Sequence, residues 1–286
     1  MTEDELAAFI AEEQLPDSFR QTFDRICRPL AERVVDWRLD FGRTVFVGLC
    51  GAQGSGKTTV AEATARLLRR HGLNAVAISL DDFYLGHEAR GWLADKVHRL
   101  LQVRGPPGTH DVPLACAVLD RLRGPGETPL PAFDKATDER RPKRDWRTVE
   151  GPLDVVILEG WCVGARPEPA ERLLEPVNGL ERRDDPNRAW RGYVNRQLGE
   201  QYQSLFGRLD RLVLLQAPGF EVVQRWRAEQ EAKLRARTGA GMTDAEVGRF
   251  VQYYERLTRW ILAEMPDRAD WVAPLNPDRT PVPSTP

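Results

Sequence analysis

The sequence predicts an α/β fold, a parallel sheet flanked by helices on both faces, and three observations carry that expectation. Short apolar runs of strand length recur along the chain, separated by segments whose apolar residues follow helical spacing. The first run leads straight into a glycine-rich turn, residues 48–60, that reads GLCGAQGSGKTTV. Two acidic stretches, SLDDFY and VVILEGW, stand where later strands end. An open parallel sheet presents its ligand outside those strand ends.

The elements follow in order. Residues 3–13 and 18–39 have helical periodicity and form an N-terminal helical extension, residues 1–43, with Trp37 and Phe41 as packing anchors. Thr44–Cys50 is the first strand, apolar after its initial threonine, as a strand covered on both faces should be. Thr58–Arg70 is the helix after the turn. Asn74–Leu80, Leu153–Glu159 and Arg211–Ala217 supply three further strands and Ala269–Ala273 a short fifth. Residues 102–152, rich in Gly, Pro and charge, read as substrate-binding loops inside a main domain spanning 44–273. From residue 274 to 286 five prolines crowd into what reads as a flexible tail.

Composition narrows the function classes. A chain of 286 residues with 41% apolar side chains can bury a substantial core. Lys and Arg number 41 against 43 Asp and Glu, a net charge of −2, so nothing global draws the protein to nucleic acid or an anionic membrane. Met1–Pro16 is acidic and lacks the charged-then-apolar build of a signal peptide, and no run of eighteen apolar residues occurs, so a cytoplasmic protein is expected. Cys27, Cys50, Cys116 and Cys162 form no C-x-x-C pair, which points to buried thiols rather than disulfides or zinc.

The turn carries the chemistry. Gly51, four residues, then Gly56-Lys57-Thr58 fits G-x-x-x-x-G-K-[ST], a phosphate-binding loop. Its glycines let several backbone N–H groups point inward, and the following helix adds positive potential at the same place. Gly51, Gly54, Ser55, Gly56, Lys57, Thr58 and Thr59 are therefore expected to hold a nucleotide, ATP. Lys57 reaches its β- and γ-phosphates, and the Thr58 hydroxyl ligates the accompanying Mg2+. Glu159, at the end of a buried strand, is the second expected magnesium ligand. Asp81 and Asp82 follow the second strand directly, and either a helix cap or a catalytic role suits them. A guanine-type N-K-x-D motif is absent, which argues against a GTPase.

The middle segment adds Arg104, His110 and Asp111 in VRGPPGTHD, and Phe133, Lys135 and Arg140 in PAFDKATDERRPKRD. With Asp82 and Tyr84 they make up the expected acceptor site. So much cationic charge suits a small anionic acceptor, because arginine binds carboxylates bidentately. Lys143 and Arg144 read as plain solvated surface.

Taken in order, GAQGSGKTT, SLDDFY, RGPPGTHD, LPAFDK and LEGWCVG resemble the plant-type D-glycerate 3-kinases and their fungal and bacterial relatives. VNRQLGEQY, RWRAEQE and GMTDAEVGRFVQYY agree, so the resemblance spans residues 44–260 and leaves 1–43 and 166–188 uncovered. That group sits with uridine kinases and phosphoribulokinases among the P-loop kinases. The resemblance implies a P-loop NTPase-type sheet and ATP-dependent transfer of a phosphoryl group to a hydroxyl of D-glycerate, with Asp81 as base. It also implies a lid helix within 220–241; a charge that neutralises the transferring phosphoryl group would come from Arg225 or Arg227 of that helix, Arg227 being preferred. On spacing alone, Arg227, Glu231 and Arg235 could equally pair along one helix face. A nucleoside kinase with Phe133 stacked on a base, a sugar-phosphate kinase, and a non-catalytic ATP-binding regulator stay open as alternatives. The cationic loop and the presence of both Asp81 and Glu159 favour catalysis on an acid.

Overall fold

One five-stranded sheet organises the computed structural model, which describes residues 1–238 and 241–283. The strands are β1 Val45–Gly51, β2 Ala75–Ser79, β3 Val155–Gly160, β4 Arg211–Gln216 and β5 Trp271–Pro274. Their spatial order is β2-β3-β1-β4-β5, and every neighbouring pair is parallel. β1 and β3 are buried along their whole length, and apart from Glu159 their sequence is apolar throughout, as burial on both faces requires. Side chains alternate between two cores. Phe46, Cys50, Val156 and Leu158 enter one, while Val45, Val47, Leu49, Val155 and Ile157 enter the other.

The N-terminal helices α1 (Glu3–Glu12) and α2 (Arg28–Phe41) belong to the second of these cores. Phe9, Phe23, Ile26 and Leu30 share it with Val60, Leu67 and Val213. The helix expected over 18–39 is three consecutive pieces: a turn of α-helix at Phe19–Thr22, a π-turn at Phe23–Cys27, then α2. Pro29, near the start of α2, has no N–H to donate, and the ladder widens before it, with Arg28 N–H bonded to Phe23 O.

After β1 come α3 (Lys57–Arg70), α4 (His87–Lys96) and α5 (Val112–Leu122). The expected loop region 102–152 is thus more ordered than its composition suggests. Val112, Ala115, Val118, Leu119 and Leu122 make a buried helical stripe. Gly126–Leu130 pairs antiparallel with Arg147–Gly151, and Phe133–Asp134 with Glu139–Arg140.

Beyond β3 lie α6 (Ala189–Gly199), α7 (Glu221–Thr238) and α8 (Asp244–Glu264). α7 is the helix expected as a lid; Gly239 and Ala240 of that segment lie outside the described residues. Where the sequence reading expected a flexible tail, residues 274–283 fold back onto the domain. Leu275 N–H bonds Gln216 O at 2.9 Å, Val282 N–H bonds Pro274 O at 2.9 Å, and Arg279 Nε donates to Gly54 O at 2.8 Å. Residues 284–286 lie outside the described residues.

Candidate active site

β1 ends at Gly51, where a Cβ would meet Ser55 Oγ at 2.7 Å and Lys57 Cβ at 3.4 Å, and the chain turns before α3 begins at Lys57. Gly54 and Gly56 have φ of +75° and +85°, left-handed values that a side chain would strain. A Cβ on Gly54 would also meet Trp226 Cβ at 2.8 Å, so α7 lies directly on the loop. Unpaired N–H groups and the positive end of the α3 dipole converge here. The Ser55 hydroxyl and the Gln53 side-chain oxygen are buried with no protein partner. Among the described residues nine buried side-chain polar atoms lack a partner, and six belong to Gln53, Ser55, His110, Arg140, Glu159 and Arg227. Such atoms are expensive to leave unmatched, and their clustering marks a ligand site.

Thr58 Oγ1 donates to Glu159 Oε1 at 2.9 Å, and Glu159, 2% exposed, has no partner at Oε2. The strand order places them together, because Glu159 on β3 stands between Leu49 of β1 and Ser79 of β2. Asp82 lines the same cavity of about 240 Å3 as Thr58, Thr59 and Glu159. One Asp82 oxygen accepts from Phe133 N–H at 3.2 Å, so this residue joins the phosphate-loop side to the hairpin Phe133–Arg140. Burial, reinforced by the neighbouring Asp81, pushes the Asp82 carboxyl up to about 6. These hard oxygen donors fit Mg2+, which keeps one or two protein carboxylates and takes its remaining ligands from phosphate and water. Among the described residues no group of three or more His, Cys, Asp or Glu is arranged to hold a metal. The set therefore suits a cation that arrives with its nucleotide.

Asp81 sits two residues beyond β2, in the turn Leu80–Phe83. Its Oδ1 accepts from Tyr84 Oη at 2.9 Å and its Oδ2 pairs with Lys135 Nζ at 2.6 Å. Burial alone would raise its pKa, but the positive charges of Lys135 and Lys57 hold it well below the usual carboxylate range. Asp81 is ionised, and it feels Lys57 of the phosphate loop and Lys135 at once.

Around it the predicted acceptor residues do converge. The Tyr84 ring stacks on His110 with centroids 4.4 Å apart and meets Phe133 edge-on at 5.3 Å. Burial lowers His110 to about 4, so its ring is neutral. Tyr202 Oη accepts from Gly108 N–H at 3.0 Å, which leaves its own proton for His110 Nδ1 at 2.5 Å. The ring proton of His110 then resides on Nε2, a buried N–H with no protein partner. Asp111 caps α5 by accepting from Leu114 N–H at 3.1 Å, and its other oxygen pairs with Arg140 Nη1 at 3.1 Å.

The cations expected as an open clamp are engaged in ion pairs: Arg104 with Asp138, Lys135 with Asp81, and Arg140 with Asp111. Each of these cations meets its acid across a long stretch of sequence, 34, 54 and 29 residues respectively, so spacing alone did not reveal the pairs. Asp138 also pairs at 2.5 Å with Arg90, a guanidinium only 1% exposed that donates further to Leu85 O and Gln102 O at 2.9 Å. Arg227 pairs with Glu231, as the i, i+4 spacing allows, and lies 5.1 Å from the Phe250 centroid with its Nε free of protein partners. Arg225 turns instead to Pro277 O.

Sequence reasoning did not single out Arg90, Asp138, Tyr202, Tyr254 or Arg279. Tyr202 and Tyr254 lie within the quoted VNRQLGEQY and GMTDAEVGRFVQYY stretches, where an aromatic at helical spacing reads first as core. Tyr254 Oη donates to Arg104 O at 3.0 Å and so ties α8 to the segment that leads into α5. No local signal distinguishes Arg90 from an ordinary surface arginine of a helix.

Comparison with known proteins adds to this geometry. Residues 46–165 match the phosphoribulokinase/uridine kinase family. The chain is 37% identical over 222 residues to the uncharacterized kinase mug58 of Schizosaccharomyces pombe, an alignment covering 74% of this chain and 79% of that one. It is 32% identical over 218 residues to the chloroplastic D-glycerate 3-kinase of Arabidopsis thaliana, covering 73% of this chain and 45% of that protein. Among solved structures, D-glycerate 3-kinase from Cryptococcus neoformans superposes with a TM-score of 0.77 at 28% identity, covering 91% of this chain and 98% of the other.

Proposed function

We propose that this chain, which belongs to the phosphoribulokinase/uridine kinase family of ATP-dependent kinases, transfers the γ-phosphoryl group of ATP to a hydroxyl of D-glycerate. Relatives named D-glycerate 3-kinase support the acceptor. The observation that carries the chemistry is Asp81, a carboxylate under the simultaneous influence of Lys57 in the phosphate loop and Lys135 in the acceptor segment.

The triphosphate rests on the inward N–H groups of residues 51–58, with Lys57 on its β- and γ-phosphates. Mg2+ held by Thr58 and Glu159, with Asp82 beside them, would neutralise charge on the phosphates. Asp81 accepts the proton of the acceptor hydroxyl and aims its oxygen at the γ-phosphorus for in-line attack. The acceptor carboxylate binds Lys135 and Arg140, and His110 Nε2–H donates to one of its oxygens. Drawing Lys135 toward the acceptor removes the nearest positive charge from Asp81 and strengthens it as a base once the acceptor has arrived. Arg227, on α7 against the loop, turns its guanidinium to the transferring group, where preorganised charge counts most.

ADP formation measured with D-glycerate, L-glycerate, uridine, ribulose 5-phosphate and pantothenate tests the acceptor assignment. D-glycerate alone should stimulate turnover. A response to uridine or ribulose 5-phosphate and none to glycerate would replace the acceptor.

A further inference from the structure

The cavity of about 290 Å3 that opens from the phosphate loop is not built by the sheet domain alone. Pro16, Phe19 and Thr22 of the N-terminal extension line it, and so do Leu275 and Asp278 of the C-terminal segment. Both walls are fixed. Phe19 is 8% exposed and packs in the same core as Val60 and Leu215, while Leu275 is tied to β4 through Gln216 O. Arg279 holds the second wall to the loop itself, donating to Gly54 O at 2.8 Å, pairing with Glu229 at 2.5 Å and lying 5.4 Å from the Trp226 centroid.

A triphosphate seated on the loop must send its nucleoside somewhere, and this cavity is continuous with residues 54–59. Its apolar walls suit a flat heteroaromatic ring, and Thr22 and Asp278 place hydrogen-bonding groups beside them. We propose that the segments Pro16–Thr22 and Leu275–Thr280 together seat the base and ribose of ATP, so that the N-terminal extension is part of the nucleotide site. The proposal rests on the kinase reading given above.

Binding of Mg-ATP and of Mg-tripolyphosphate, which has no nucleoside, separates the two. Both are titrated calorimetrically into the full chain and into Thr22→Phe and Ser18→Trp. These variants add bulk at two cavity-lining positions; Ser18 is exposed and Thr22 half-buried, so neither disturbs the core. The expected result is an ATP Kd raised about tenfold or more in both variants, with tripolyphosphate Kd unchanged within about twofold. Retained tripolyphosphate binding also shows that each variant is folded with its loop intact. Unchanged ATP affinity in both variants would put the nucleoside elsewhere. An equal loss of both ligands would make the effect one on the loop, and would likewise overturn the assignment. A wild-type chain that binds neither ligand would remove the kinase reading, and this proposal with it.

Discussion

Asp82 offers a test in which the sign of a pH effect can be worked out in advance. Its carboxylate is half-buried, receives one backbone hydrogen bond, and neighbours the charges of Asp81 and Glu159. Its pKa is therefore raised from 3.8 to about 6 in the folded chain. A carboxylate shifted upward penalises the folded state when ionised. The penalty is absent below about pH 4, grows between the unfolded and folded values, and is complete above about pH 6. The full gap corresponds to about 3 kcal/mol, and partial solvent access trims the realised value to about 1–2 kcal/mol. Asp82→Asn keeps the oxygen that accepts from Phe133 N–H and removes the charge. Thermal unfolding followed by circular dichroism, without nucleotide or divalent metal, should show Tm of Asp82→Asn about 3–6 °C above wild type near pH 7.5. Near pH 4 the two should coincide. A gain that is the same at both pH values, or a loss at neutral pH, would refute the reasoning, because the carboxylate would then be satisfied by the fold.

Other expectations follow from the same geometry. Lys135→Met removes a positive charge from Asp81 and raises its pKa, so the acid limb of the kcat/KM profile should move to higher pH; an unmoved limb would separate Lys135 from the base. Arg90→Met removes one of the two arginines paired with Asp138 and the donor to three backbone carbonyls, Leu85 O, Gln102 O and Asp138 O, and chemical denaturation should show a loss of about 3 kcal/mol or more. Arg227→Ala should lower kcat by about a hundredfold or more and leave the ATP Kd within about twofold; a larger effect on Kd would make it a ground-state ligand. Replacing Arg140 with Ala should raise the acceptor KM, and an unchanged KM would place the carboxylate elsewhere.

The sheet was readable because its physics is local. Strands covered on both faces, such as Thr44–Cys50, must be continuously apolar, and the glycine spacing after the first of them admits few other structures. Asp81 and Glu159 were legible for the same reason, as acids at strand ends. Ion pairing was not, because Asp138 lies 34 residues from Arg104 and 48 from Arg90, and only the fold brings them together. Proline content misrepresented residues 274–283: Arg279 docks on Gly54 across 225 residues of sequence, a contact that composition cannot carry. The helix Val112–Leu122 was hidden by its glycine- and proline-rich flanks, although its own apolar spacing is helical.

In the proposed reaction Asp81 stands between ATP and a hydroxy-acid acceptor as the base of phosphoryl transfer. The most direct test of this role follows γ-labelled phosphate from Mg-ATP into D-glycerate, with wild type and Asp81→Asn side by side. Labelled phosphoglycerate should form with the wild type, at a rate lower by about a thousandfold or more in the variant, with ATP binding unchanged. Full transfer by Asp81→Asn, or no transfer to glycerate by the wild type, would contradict this role.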